Sequence, residues 1–130
     1  MDCVGVRFNH GPKLYDYSFS GEPPAQGSWV VVSTPRGLEL GKVRTAPRAG
    51  RPQGEVVRQA TPQDLENASK LRERAEDLKW WLKAKLRRES VPAKLLGCEF
   101  TLDGNHLSVH YSAEERVDLR RWVGEISRLA

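Results

Sequence analysis

Hydrophobic and polar residues alternate along the first third of the chain. Val4 to Phe8 (VGVRF) predicts a first strand, and NHGP turns the chain. In Leu14 to Phe19 (LYDYSF), Tyr15, Tyr17 and Phe19 share one face, with Leu14, Asp16 and Ser18 on the other. After the loop SGEPPAQG, Trp29 to Ser33 (WVVVS) is a β-branched run suited to a central strand. TPRG then turns into Leu38 to Val43 (LELGKV), where Gly41 predicts a bulge or close backbone packing. Four short strands joined by tight turns predict a small twisted sheet or a partial barrel. Glu55 to Gln59 reads as one more strand.

The period changes at Thr61-Pro62-Gln63-Asp64. Thr61 suits the N-cap, Pro62 the first helical position, and Asp64 places an acid in the first turn. Ala68, Leu71, Ala75, Leu78 and Leu82 then follow 3-4-3-4 spacing, so a long helix runs to about Arg88 with one apolar seam. Pro92 stops it, because proline disfavours helix at the residue before it. The seam needs a cover, which either the rest of the fold or a second copy in a homodimer can supply. Leu95 to Leu102 and Leu107 to Tyr111 read as a hairpin around the turn Asp103-Gly104. Asp118 opens a last helix with Leu119, Trp122, Val123 and Ile126 on its apolar face. The expected class is α+β: an N-terminal small β-sheet or partial barrel, then a long helix, a β-hairpin and a C-terminal helix. The expected division is a β-rich part over 1–58 and a helix-hairpin-helix part over 59–130, which also fits one compact domain.

Arg44 to Gly54 (RTAPRAGRPQG) has no such pattern. It carries two prolines, two glycines and three arginines without an acid, and so predicts a mobile basic connection. The 130 residues are 38% hydrophobic and 29% charged, as in a globular protein, and no apolar run approaches the ~20 residues that cross a bilayer. The first ten residues lack the charged and apolar regions of a signal peptide, so the expected location is cytoplasmic. Cys3 and Cys98 stand alone, too far apart in sequence for a zinc site, and His106 and His110 have no companion ligands. No phosphate-cradling glycine loop, nucleophile elbow or His-Glu-x-x-His is present, which argues against an enzyme.

The net charge of +4 becomes informative where it concentrates. Lys79 to Lys94 (KWWLKAKLRRESVPAK) sets Lys79, Lys83, Lys85, Arg87, Arg88 and Lys94 against Glu89 alone, with Trp80 and Trp81 between them. Cations hold phosphates and aromatic rings stack on unpaired bases, so this helix end is a candidate surface for single-stranded RNA or DNA. Basic residues also suit a helix C-terminus, and tryptophans are common anchors, so a structural or protein-docking face is the somewhat better supported alternative. Consecutive tryptophans point about 100° apart, so both cannot face the seam. Arg44, Arg48 and Arg51 would extend a nucleic-acid surface as a flexible arm.

The segments VGVRF, GSWVVVSTPRGLELGKV, VVRQATPQDL and AKLLGCEFTLDGNHLSVHYSAEERVDLRRWV occur in this order along nearly the whole chain. Together they resemble the bacterial RicT (YaaT) family, whose shared domain is named for a yeast polymerase-suppressor protein. The motif positions that carry the resemblance are Arg36, Gly37, Gly41, Asp103, Gly104, Arg116, Asp118 and Arg120. It implies a non-catalytic adaptor. RicT-like proteins join two small helical partners, RicA and RicF, in a complex that acts with RNase Y in mRNA maturation. Family members also continue into a cysteine-rich tail linked with an iron–sulfur cluster. Cys3 and Cys98 do not match that tail, so no cluster ligands are assigned and no cofactor is expected in this chain.

Overall fold

The computed structural model describes residues 2–9 and 11–114. Strands β1 (Asp2–Arg7), β2 (Leu14–Ser18), β3 (Trp29–Thr34), β4 (Gly37–Val43), β5 (Arg48–Ala49) and β6 (Val56–Gln59) precede one helix, α1 (Pro62–Arg88). A hairpin of β7 (Lys94–Phe100) and β8 (Leu107–Ser112) follows. The α+β class and the order sheet, helix, hairpin agree with the sequence. The C-terminal helix expected from Asp118 lies outside the described residues.

The first sheet has the order β2-β1-β4-β3-β6, with β5 added beside β1. It curls until its two ends meet: the Ser18 N–H donates to the Gly54 carbonyl at 3.0 Å, and Ser18 bridges Glu55. The alternation explains the curl's interior. Val4, Val6, Phe8, Tyr17, Val30, Val32 and Val43 point inward and form one buried cluster. The Tyr17 hydroxyl is pushed up to about 12 by burial, with the Glu39 carboxylate adding to the shift. Gly41 serves close packing. A Cβ there would stand 2.3 Å from Val6 Cγ1, so β1 and β4 approach only because position 41 has no side chain.

Helix α1 begins in a reciprocal cap. Thr61 Oγ1 accepts from the Asp64 N–H at 3.1 Å, and the Asp64 carboxylate accepts from the Thr61 N–H at 2.9 Å. Arg58 of β6 donates to the same carboxylate at 2.8 Å. These hydrogen bonds, the Thr61 backbone N–H first among them, hold Asp64 below the usual carboxylate range. The helix end differs in cause from the expectation. It is closed before Pro92 is reached, by Ser90 in the left-handed region (φ 54°). The Ser90 N–H donates to Arg87 and the Val91 N–H to Leu86, and Val91 packs in the same cluster as Leu86. That is the Schellman pattern of backbone and apolar contacts.

The fold itself covers the lower part of the seam. Leu78, Leu82 and Leu86 pack with Leu95 of β7, and Phe100, Leu107 and Val109 surround them. Leu102 ties the layers together: its N–H donates to the Leu38 carbonyl of β4 at 2.8 Å, and its carbonyl accepts from the Asn67 side chain of α1 at 2.9 Å. His106 stands in the hairpin loop, its carbonyl accepting from the Thr101 N–H. His110 is on β8 and lies 2.7 Å from Glu99.

Candidate functional site

The helical period separates the two adjacent tryptophans. Trp81 is half-buried against the helix–hairpin cluster, whereas Trp80 is 60% exposed on the opposite side. Lys83 and Lys79, at i+3 and i−1, bring their ammonium groups to 4.9 Å and 5.8 Å from the Trp80 ring centre. Such cation–π contacts hold the indole outward in a fixed place. Lys79 also lies 3.6 Å from Glu76, which partly offsets its charge. One turn further on, Arg87 and Arg88 are exposed and Lys85 is half-buried, all three in the last turn, where the helix dipole favours cations. The outer end of α1 thus carries a large, exposed aromatic ring framed by cations.

The expected basic arm is bonded to the sheet instead. Arg48 belongs to β5, whose pairing with β1 sets Cys3 opposite Arg48, and its guanidinium donates to Asp16 at 2.9 Å. The Gln53 N–H donates to the Asp16 carbonyl as well. The stretch Arg44 to Gly54 is therefore pinned along the sheet and is no mobile linker. The acid that neutralises Arg48 comes from β2, 32 residues away in sequence, which the local composition cannot show. Arg44 and Arg51 are exposed.

Four of the motif positions come together. The turn holding Arg36 and Gly37 meets the turn holding Asp103 and Gly104. Gly37 has φ 138°, and a Cβ on it would stand 3.1 Å from the Asp103 carboxylate. Asp103 accepts from Thr101 Oγ1 and from the Asn105 N–H at 2.9 Å, and these bonds, the Thr101 hydroxyl first, hold it below the usual carboxylate range. Gly104 takes φ 74°, as its turn requires. Arg36 lies 3.6 Å from Glu39, and its Nε and one Nη are buried without a hydrogen bond. These residues fasten the barrel to the hairpin. Arg116, Asp118 and Arg120 lie outside the described residues.

Burial pushes both thiols, Cys3 and Cys98, up, which leaves them poor nucleophiles and poor ligands. Among the described residues, no three His, Cys, Asp or Glu side chains group as a metal site would, and no helix is long and apolar enough to cross a membrane. A cleft of about 590 Å³ runs between barrel, helix and hairpin, lined by Phe8, Leu40, Leu71, Ala75, Leu96 and their neighbours. The sequence also gave no sign of a second aromatic–basic group, Trp29 with Lys42 over its ring at 5.6 Å. Its members come from separate strands and meet only through register.

Comparison with known proteins adds family information. The profile of the PSP1 C-terminal conserved region matches residues 54–130. The chain is 29% identical over 134 aligned residues to a Bacillus subtilis (strain 168) protein described as "Stage 0 sporulation protein YaaT". That alignment covers 98% of this chain and 49% of the relative, so the chain spans about half of the relative's length. No solved structure matches.

Proposed function

The chain belongs to the family of the PSP1 C-terminal conserved region, and on that premise we propose that it is a non-catalytic adaptor in RNA metabolism. In this reading it acts in the cytoplasm, without a cofactor of its own. It docks protein partners resembling RicA and RicF and thereby assists RNase Y in mRNA maturation. The relative's involvement in sporulation, as its name states, is compatible with such a regulatory role. The observation that carries the proposal is Trp80, 60% exposed on a helix whose other face is already packed. An indole held outward by flanking cations has the composition of an interface anchor, where Trp and Arg are enriched. The lysines and arginines around it suit a partner with an acidic face.

Reconstitution with the purified RicA-, RicF- and RNase Y-type proteins of the same organism tests this. The wild-type chain forms a complex that Trp80→Ala combined with Lys83→Glu weakens by at least about tenfold, the loss typical of an interface hot spot. An intact complex from the double variant would refute the docking face.

The same framing of Trp80 by Lys79 and Lys83 favours a second reading, direct binding of single-stranded RNA or DNA at the helix end. Salt separates the two. Phosphate contacts weaken steeply as salt rises, through counterion release, and they need no protein partner.

A further inference from the structure

The outer face of the barrel carries a row that the inward packing does not use. In β1, Val4 and Val6 point inward, so Arg7 points out. The register sets Arg7 opposite Lys42 of β4, and Lys42 opposite Trp29 of β3. Arg44, two residues after Lys42, falls on the same face, where its N–H donates to the Gly5 carbonyl at 2.8 Å. With strands about 4.8 Å apart, Arg7 and Trp29 stand about 10 Å from each other with Lys42 between them. Arg7, Lys42, Arg44 and Trp29, with Phe8 and Asn9, line a hollow of about 280 Å³ that contains no acid.

Two features separate this row from an ordinary solvated face. Like charges directly opposite each other on a sheet are destabilising, and Arg7 and Lys42 are register partners. Three other arginines of the barrel region have carboxylates: Arg36 has Glu39, Arg48 has Asp16, and Arg58 has Asp64, whereas Arg51, in the exposed loop before β6, has none among the described residues. Among the described residues, Arg7, Lys42 and Arg44 have none. A local arrangement that opposes stability is expected where a ligand completes it. The missing component is anionic, and the aromatic ring in the row calls for a flat group beside the anion.

We propose that this row binds single-stranded nucleic acid, one unpaired base packing against Trp29 while Arg7, Lys42 and Arg44 hold the adjoining phosphates. The hollow lies just below the volume of ligand pockets, about 300–1,000 Å³, and so suits one nucleotide of a strand rather than a larger free ligand. Lys42 covers the ring in the free protein, and its flexible four-carbon stem lets the ammonium leave for a phosphate. Base–aromatic stacking is tolerant of sequence, so the site reads a single strand rather than a particular base. The site goes beyond the adaptor reading and does not rest on it, since it uses neither the helix end nor a protein partner.

The test is fluorescence anisotropy with a labelled oligouridine strand and a duplex of the same length, using the full chain alone. Three phosphate contacts on a single strand give a salt slope of about −2, so affinity falls about 15-fold over a fourfold rise in salt. Arg7→Gln with Lys42→Gln should cut single-strand affinity at least about tenfold and leave the melting temperature unchanged or higher, because it removes the like-charge pair. Trp29→Phe should keep more affinity than Trp29→Leu, because a ring is retained for stacking. Four results would overturn the proposal: no saturable binding by the wild type, unchanged affinity in the Arg7/Lys42 variant, equal affinity for the duplex, or equal affinity in the two Trp29 variants. Loss only on replacing Trp80 and Lys83 would place binding at the helix end and refute the barrel site. None of these results bears on partner docking, which the reconstitution measures separately.

Discussion

The barrel and the helix–hairpin layer bury their apolar residues in different ways. In the barrel every long strand faces a common interior, and Val4, Val6, Val30, Val32 and Val43 are fully buried. In the second layer one helix meets one hairpin along a single seam of Leu78, Leu82, Leu86 and Leu95. A closed interior leaves the outside of the barrel free to hold charges that packing does not require. A single seam leaves the opposite side of the helix outside this cluster of described residues, and Trp80, 60% exposed, stands there. Leu102, bonded to both β4 and α1, joins the two parts.

The largest expected effect comes from breaking the seam. Leu82 is almost wholly buried, and Leu82→Ala should cost roughly 2–5 kcal/mol, from lost transfer energy plus the cavity left behind. Because Leu102 couples the layers, thermal unfolding followed by far-ultraviolet circular dichroism should remain one transition at lower temperature. Two separated transitions would show that the barrel stands alone. Gly41→Ala probes the barrel in the opposite sense, by overfilling. Its Cβ meets Val6, and a loss of roughly 1–3 kcal/mol in chemical denaturation is expected, with the helix signal otherwise native.

Acid sharpens the comparison at the joints between the parts. Asp64, at the junction of β6 and α1, and Asp103, at the junction of hairpin and barrel, are both held below the usual carboxylate range. Their folded values lie below the unfolded ones. Their contribution is therefore complete above the unfolded carboxylate value of about 3.9 and fades as pH falls through the folded values. Stability should drop as pH falls below about 4, and Asp64→Asn should make that drop shallower while lowering stability at neutral pH. Denaturation midpoints measured across that range check the sign.

Much of this was legible because it is local. Alternation in VGVRF and LYDYSF marked β1 and β2, the 3-4 spacing marked α1, and Thr61 announced its own cap. The 100° step between Trp80 and Trp81 required that the two rings part company, and they do. What the sequence hid depends on partners far along the chain. Arg48 looked like part of a free arm because Asp16 belongs to another strand. The Arg7–Lys42–Trp29 row exists only through the register of three strands. The stop of α1 looked like the work of Pro92, whereas Ser90 in a left-handed conformation closes it, a role more often filled by glycine. The motif turns around Gly37 and Asp103, some sixty-six residues apart, reveal their purpose only when they touch.

The smallest expected effect on stability is also the most informative. Trp80 lies on the unpacked face of α1, so Trp80→Ala should change stability by no more than about 0.5 kcal/mol. The decisive measurement pairs the melting temperature of this variant with its affinity for the reconstituted partners. The account predicts an unchanged melting temperature and an affinity at least about tenfold weaker. A lowered melting temperature with unchanged affinity would contradict it, and would make Trp80 part of the scaffold rather than the docking face.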